Sequence, residues 1–60
     1  MTTHEELKAA APDIDWVVAR VGAEVWYGVE MPDTVMYYQS ANIPCDTIVT
    51  HARAMGKVKK

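Results

Sequence analysis

The sequence predicts a small α+β domain, with short helices towards both ends and a strand between them. Half of the 60 residues are hydrophobic and 23% are charged, which is typical of a packed domain rather than a disordered chain. Apolar residues recur at helical spacing near both ends of the chain. Between them, residues 21–31 alternate with the period of two that is typical of a strand.

The chain is short for a stable fold. A domain of this length buries only about 60% of the surface that its unfolded chain exposes. The single cysteine, Cys45, excludes an internal disulfide. Small chains often gain the missing core through a structural metal or through oligomerisation. We expect one domain over residues 1–60 and, because no metal-ligand spacing is present, a homodimer.

The first helix is predicted at about residues 3–10. Thr3 and Glu6 have the spacing of a capping box, in which each side chain accepts a hydrogen bond from the other residue's backbone amide. Strong helix formers follow. Pro12 ends the helix because proline disfavours helical backbone at the residue before it.

A second helix is predicted at about residues 13–21. Asp13 can cap its N-terminus, and Gly22 can occupy the left-handed position that follows many helices. One face of this helix would carry Ile14, Val17, Val18 and Val21.

The strand is predicted at about residues 23–30 and stops at Pro32. The next segment, residues 34–40, leaves two alternatives open. Its aromatic and β-branched residues suit a second strand, joined to the first by a turn at residues 31–34. However, Pro32 also suits the first position of a helix that would run through about Ala41.

The last helix is predicted at about residues 46–56. Its apolar residues have helical spacing, and Gly56 provides a C-cap. The apolar face would consist of Ile48, Val49, Ala52 and Met55.

The charges divide sharply near residue 50. All eight acidic residues lie in residues 1–50, which contain only two basic residues, Lys8 and Arg20. The last ten residues contain four basic residues and no acid, and three of the four lie in a basic tail at residues 57–60. Such an end can bind phosphate or an acidic protein, or it can be a solvated tail.

The segment 37–53 resembles a helix-turn-helix. Asn42 tolerates the turn, Ile43 would fill the core, and Ile48 would anchor the second helix. The resemblance implies a small, non-enzymatic regulator that binds double-stranded DNA with this helix and the basic tail. The residues implied to contact DNA are Thr47, Thr50, His51, Arg53, Lys57, Lys59 and Lys60. The structural alternative is two helices packed at a short turn.

The chain also resembles the ribbon-helix-helix regulators. The strand Val25–Met31 would be followed by two helices, which is the order of elements in that family. Pairing of the strand with its copy in a second protomer would then supply half of the missing core.

A protein interface is the alternative to DNA binding. The predicted strand carries two acids on its polar face, and carboxylates facing DNA lower its affinity. Tryptophan and tyrosine are common in protein-binding hot spots. The chain would then be a small inhibitor or adaptor of the kind that mobile elements encode, although Trp26 could instead cover the edge of the core under a helix. The interface residues would be Glu24, Trp26, Glu30, Tyr37 and Tyr38.

We expect no enzymatic activity, no metal, no cofactor and no small-molecule substrate. His4, Cys45 and His51 lack the spacing of a zinc site, and no glycine-rich phosphate loop is present. The N-terminus lacks the features of a secretory signal, and no apolar run approaches the ~20 residues that cross a bilayer. These features predict a cytoplasmic protein without membrane contact.

Overall fold

The fold consists of two helices and a three-stranded antiparallel sheet. The computed structural model describes residues 1–32 and 35–56. The sheet has the order β1-β2-β3, so β1 and β3 are its edge strands. The predicted α+β class is therefore confirmed. In chain order, the elements are α1 (His4–Ala10), β1 (Val17–Val21), β2 (Glu24–Glu30), β3 (Met36–Ser40) and α2 (Cys45–Met55).

Helix α1 begins with the predicted capping box. The backbone amide of Glu6 donates to Thr3 Oγ1 at 3.1 Å, and the amide of Thr3 donates to Glu6 Oε1 at 2.8 Å. At the other end, the amide of Ala11 donates to the carbonyl of Leu7. The predicted helix at residues 3–10 is confirmed.

The predicted helix at residues 13–21 is wrong, because residues 17–21 form β1. Three of these five residues are valine, whose branched side chains favour a strand. A two-residue turn folds β1 onto β2, and the two strands satisfy each other's backbone. Gly22 has a φ of +61° in this turn, so the expected left-handed glycine is present but closes a hairpin instead of a helix.

Residues 36–40 settle the open alternative in favour of a strand. They form β3, which pairs with β2 from Trp26↔Ser40 to Glu30↔Met36. A strand therefore precedes α2, and both the helix-turn-helix and the strand-helix-helix order are wrong. The middle strand offers backbone hydrogen bonds on both sides, and pairing with β3 uses the second side. The expected turn at residues 31–34 includes Asp33 and Thr34, which lie outside the described residues.

Helix α2 confirms the predicted C-terminal helix. Its N-cap position is Pro44, and the amide of Gly56 donates to the carbonyl of Ala52 at 2.6 Å. Ile48 and Ala52 are buried as expected. Met55 is 42% exposed, so it does not belong to the buried face that the pattern predicted. The basic tail at residues 57–60 lies outside the described residues.

The core lies between the helices and one side of the sheet, called the inner face. Leu7 of α1 and Ile48 of α2 have no accessible surface, and both belong to one cluster with Tyr27 of β2. Gln39 of β3 is also buried, and its Nε2 donates to the carbonyl of Ile48 at 2.9 Å. Both helices therefore pack on the side of the sheet that carries Tyr27 and Gln39.

The opposite side of the sheet, called the outer face, carries no helix in the part of the chain that the structure describes. Residues paired across antiparallel strands project from the same face, so the register defines its members. These are Val17, Ala19, Val21, Glu24, Trp26, Gly28, Glu30, Met36, Tyr38 and Ser40.

Candidate functional site

Trp26 lies at the centre of the outer face. Its neighbours across the two flanking strands are Ala19 and Ser40. Because both side chains are small, they leave the indole ring half-exposed. The indole Nε1 donates to Glu24 Oε1 at 3.2 Å, so the ring is held by a carboxylate on the same face.

Tyr38 lies over Gly28 on the same face. A Cβ atom placed on Gly28 would lie 2.5 Å from Tyr38 Cε1, so any side chain at this position would displace the tyrosine ring. Gly28 therefore allows the tyrosine ring to lie against the backbone of β2. The ring remains 43% exposed, although one of its sides is covered.

Strand β1 extends the apolar character of the outer face to the sheet edge. Val17 is 40% exposed and Val21 is 65% exposed. The exposed carboxylates of this face belong to Glu24 and Glu30. The outer face is thus an aromatic and aliphatic surface with an acidic residue at each end of β2.

Four of the five residues expected at a protein interface share the outer face. Glu24, Trp26 and Glu30 come from β2, and Tyr38 comes from β3. Tyr37 does not belong with them, because it pairs with Val29 and projects from the inner face. The alternative placement of Trp26 under a helix is also wrong.

Strand β1 contributes to this surface, which was not predicted from the sequence. Val17, Ala19 and Val21 alternate with period two, and Gly22 follows directly, which together indicate a strand and a hairpin turn. Val17 and Val21 also fit a helical stripe together with Ile14 and Val18, and this stripe predicted the helix at residues 13–21. Trp16 packs against the core from just before β1.

The α2 residues that were expected to contact DNA are less available for DNA binding than the sequence suggests. Arg53 is bound to Asp13 through two hydrogen bonds of 2.8 and 3.2 Å. The hydrogen bond from Arg53 lowers the pKa of Asp13, and the same bond raises the pKa of Arg53. The guanidinium therefore faces a carboxylate of its own chain, although the pair is exposed to solvent.

Thr50 and His51 of α2 also have hydrogen-bond partners within the chain. Thr50 Oγ1 donates to the carbonyl of Asp46 at 2.8 Å. His51 Nδ1 lies 3.0 Å from Oε1 of Gln39, whose Nε2 already donates to a carbonyl, so Nδ1 is the donor. Thr47 is half-buried. The three lysines of the set, Lys57, Lys59 and Lys60, lie outside the described residues.

Within residues 1–32 and 35–56, the side chains are not arranged as expected for a metal site or for a nucleophilic Cys–His pair. No group of three His, Cys, Asp or Glu side chains there could hold a metal ion. Cys45 and His51 lie six positions apart on α2, which places them about 120° apart around the helix. His4 stacks on Tyr27 with ring centroids 6.3 Å apart, and its Nε2 is buried without a partner.

Two further observations concern the whole described part of the chain. Neither α1 nor α2 has the length and apolar character that a membrane span requires. Comparisons with protein-family models, with curated proteins and with solved structures found no match. What the chain does is therefore inferred from its own residues and their geometry.

Proposed function

We propose that the protein is a small non-enzymatic protein-binding module, an inhibitor or adaptor that contacts its partner through the outer face. The observation that carries the proposal is the placement of Trp26 and Tyr38 on a sheet face that neither helix covers. Contiguous exposed apolar surface on a small protein is typical of interaction sites. Tryptophan and tyrosine contribute most to such sites because they bury much area with few rotatable bonds.

The charge of the outer face defines the chemistry of the partner. Both exposed carboxylates, Glu24 and Glu30, flank the apolar centre. A matching partner presents apolar side chains with lysine or arginine beside them. Such complementarity favours the correct partner and speeds association more than it raises affinity.

The size of the outer face favours a short partner segment. Two strands of five residues and one of seven span roughly 14 Å across and about 17–24 Å along the strands. A standard interface buries about 800 Å² on each side, which is more than a face of this size provides. An α-helix with its side chains is about 10–12 Å wide and fits across the three strands. We therefore infer a basic amphipathic helix as the segment that binds.

The test is a capture experiment with three folded baits. The wild-type chain, Trp26→Ala and Arg53→Ala are immobilised, and proteins retained from a lysate of the source cells are compared by mass spectrometry. We expect one partner to be retained by the wild type and by Arg53→Ala but lost with Trp26→Ala. Arg53→Ala is a suitable control because its ion pair is exposed and lies on α2. Retention of the same partner by Trp26→Ala would contradict the proposal.

DNA binding by the basic end is the second candidate function. Four of the last ten residues are basic, which supports DNA binding because phosphate contacts dominate DNA affinity. The test is an electrophoretic shift of duplex DNA at low salt with micromolar protein. If the chain binds DNA, retention weakens steeply with salt and with Lys57→Ala. Absence of any shift at low salt would exclude this function.

A further inference from the structure

We propose that two copies of the chain pair through the free edge of β1 and form a continuous six-stranded antiparallel sheet. The two-fold axis passes beside Ala19. The proposal does not depend on the function proposed above, since it concerns the edge strand β1 and not Trp26 or Tyr38. It rests on the hydrogen-bond pattern of the sheet and on the composition of β1.

The hydrogen-bond pattern shows which backbone groups of β1 are free. The amide of Ala41 donates to the carbonyl of Val25 at 3.0 Å, so Val25 bonds towards β3. Residues of a middle antiparallel strand bond alternately to either side, so Glu24, Trp26 and Gly28 bond towards β1. Their partners on β1 are Val21, Ala19 and Val17.

The backbone groups of Val18 and Arg20 therefore point away from the sheet. No backbone hydrogen bond outside the sheet engages residues 17–21 within the described ranges. The other edge differs, because the carbonyl of Ser40 on β3 accepts from the amide of Ile43 at 3.2 Å. Within the described residues, the outer edge of β1 thus carries no backbone hydrogen bond from outside the sheet, whereas the outer edge of β3 is engaged at Ser40.

The composition of β1 also favours pairing. Natural proteins protect edge strands with proline, with bulges or with charged side chains, lysine above all, and β1 contains no proline, lysine or bulge. Its only charge belongs to Arg20, which projects from the inner face. An edge of valine and alanine with a single charge is protected only weakly and can act as a template for another strand.

In a symmetric register, the free backbone groups of β1 can form hydrogen bonds and the side chains of the two copies are compatible. Val18 of one copy lies opposite Arg20 of the other, and these are the residues whose backbone groups are free. Ala19 lies opposite itself on the axis, as a close pair without hydrogen bonds. Val17 lies opposite Val21 on the outer face, so two exposed valines cover each other. No two like charges are directly opposed in this register.

Pairing of two copies through β1 doubles the width of the outer face. Six strands span roughly 28 Å, twice the width of the single sheet. The edge contact itself involves five residues from each copy and buries less than the ~800 Å² per partner of a standard interface. We therefore expect an association that depends on protein concentration in the micromolar range.

The first test compares two charge variants by sedimentation velocity over a range of concentrations. In Val17→Lys/Val21→Lys, like charges are opposed across the new edge, so the dimer is lost. In Val17→Glu/Val21→Lys, opposite charges are opposed, so the dimer remains. The variants are matched because each places lysine at position 21, opposite Glu24 of the same chain. Circular dichroism establishes that both are folded.

The second test is a cross-link at the two-fold axis. In a Cys45→Ala background, Ala19→Cys places two thiols at the close pair, where the Cα atoms are about 4.5 Å apart and a disulfide can form. Oxidised glutathione then yields a covalent dimer. Val17→Cys in the same background is the control, because its copies are about 13 Å apart along the strand.

Several results would overturn the proposal. A wild-type chain that stays monomeric up to several hundred micromolar would do so. So would two charge variants that behave alike, whether both are dimers or both are monomers. A dimer that dissociates with Tyr38→Ala would place the contact on the outer face instead of the β1 edge. Equal cross-linking of Ala19→Cys and Val17→Cys would exclude the register.

Discussion

A few buried polar residues hold the N-terminus of the chain to the sheet. The amide of Thr2 donates to the carbonyl of Ala41, and Thr2 Oγ1 donates to the carbonyl of Ile43, each at 2.8 Å. The hydroxyl of Tyr27 donates to the carbonyl of Thr2 at 2.8 Å. All three contacts join residues far apart in sequence, so composition and periodicity could not have predicted them.

Tyr27→Phe tests this network directly. The substitution keeps the buried ring but removes the donor to the Thr2 carbonyl. We expect a loss of about 1–3 kcal/mol in the free energy of unfolding, because a buried acceptor is left without its partner. Urea unfolding measures the change. Tyr38→Phe is the matched control on the exposed face, and it should change stability by less than about 0.5 kcal/mol. Equal effects of the two variants would contradict the account.

The two ends of the fold could be predicted from local sequence, because their signals are local. The capping box of Thr3 and Glu6 and the C-cap at Gly56 act within a turn of the helices they delimit. The alternation at residues 23–30 likewise predicted β2. Strand β1 could not be predicted in the same way, since its valines fit a helix and a strand equally well. The pairing of residues 17–21 with β2, across the turn at Gly22, decides between the helix and the strand.

Gly22→Ala tests whether the hairpin turn holds β1 in place. No atom lies within 4 Å of a Cβ added at Gly22, so the cost comes from the backbone and not from a clash. An alanine in the left-handed region costs about 1–2 kcal/mol. Gly22→Asn should cost less, because asparagine tolerates this region better. Urea unfolding of both variants measures the difference, and equal costs would indicate that the turn does not require a positive φ.

On the scale of the whole molecule, the described residues are arranged asymmetrically, with helices on one side of the sheet and a face without a helix on the other. Much of the candidate surface could be predicted from sequence, because Trp26 and the two acids lie on the polar side of a recognisable strand. The contribution of Tyr38 depends on the partner of Gly28 across the sheet, which no local pattern specifies. The ion pair of Arg53 could not be predicted from a local pattern either, because its partner Asp13 lies 40 positions away.

The most direct test of the outer face is a calorimetric titration of the captured partner with the wild-type chain and with Tyr38→Ala. Tyr38 is exposed and makes no contact with the core cluster, so the variant should fold normally. Loss of an aromatic hot-spot residue costs about 2 kcal/mol or more in binding, which corresponds to a Kd raised roughly 30-fold. We predict an increase of this size. An unchanged Kd for the folded variant would contradict the assignment of the outer face as the binding surface.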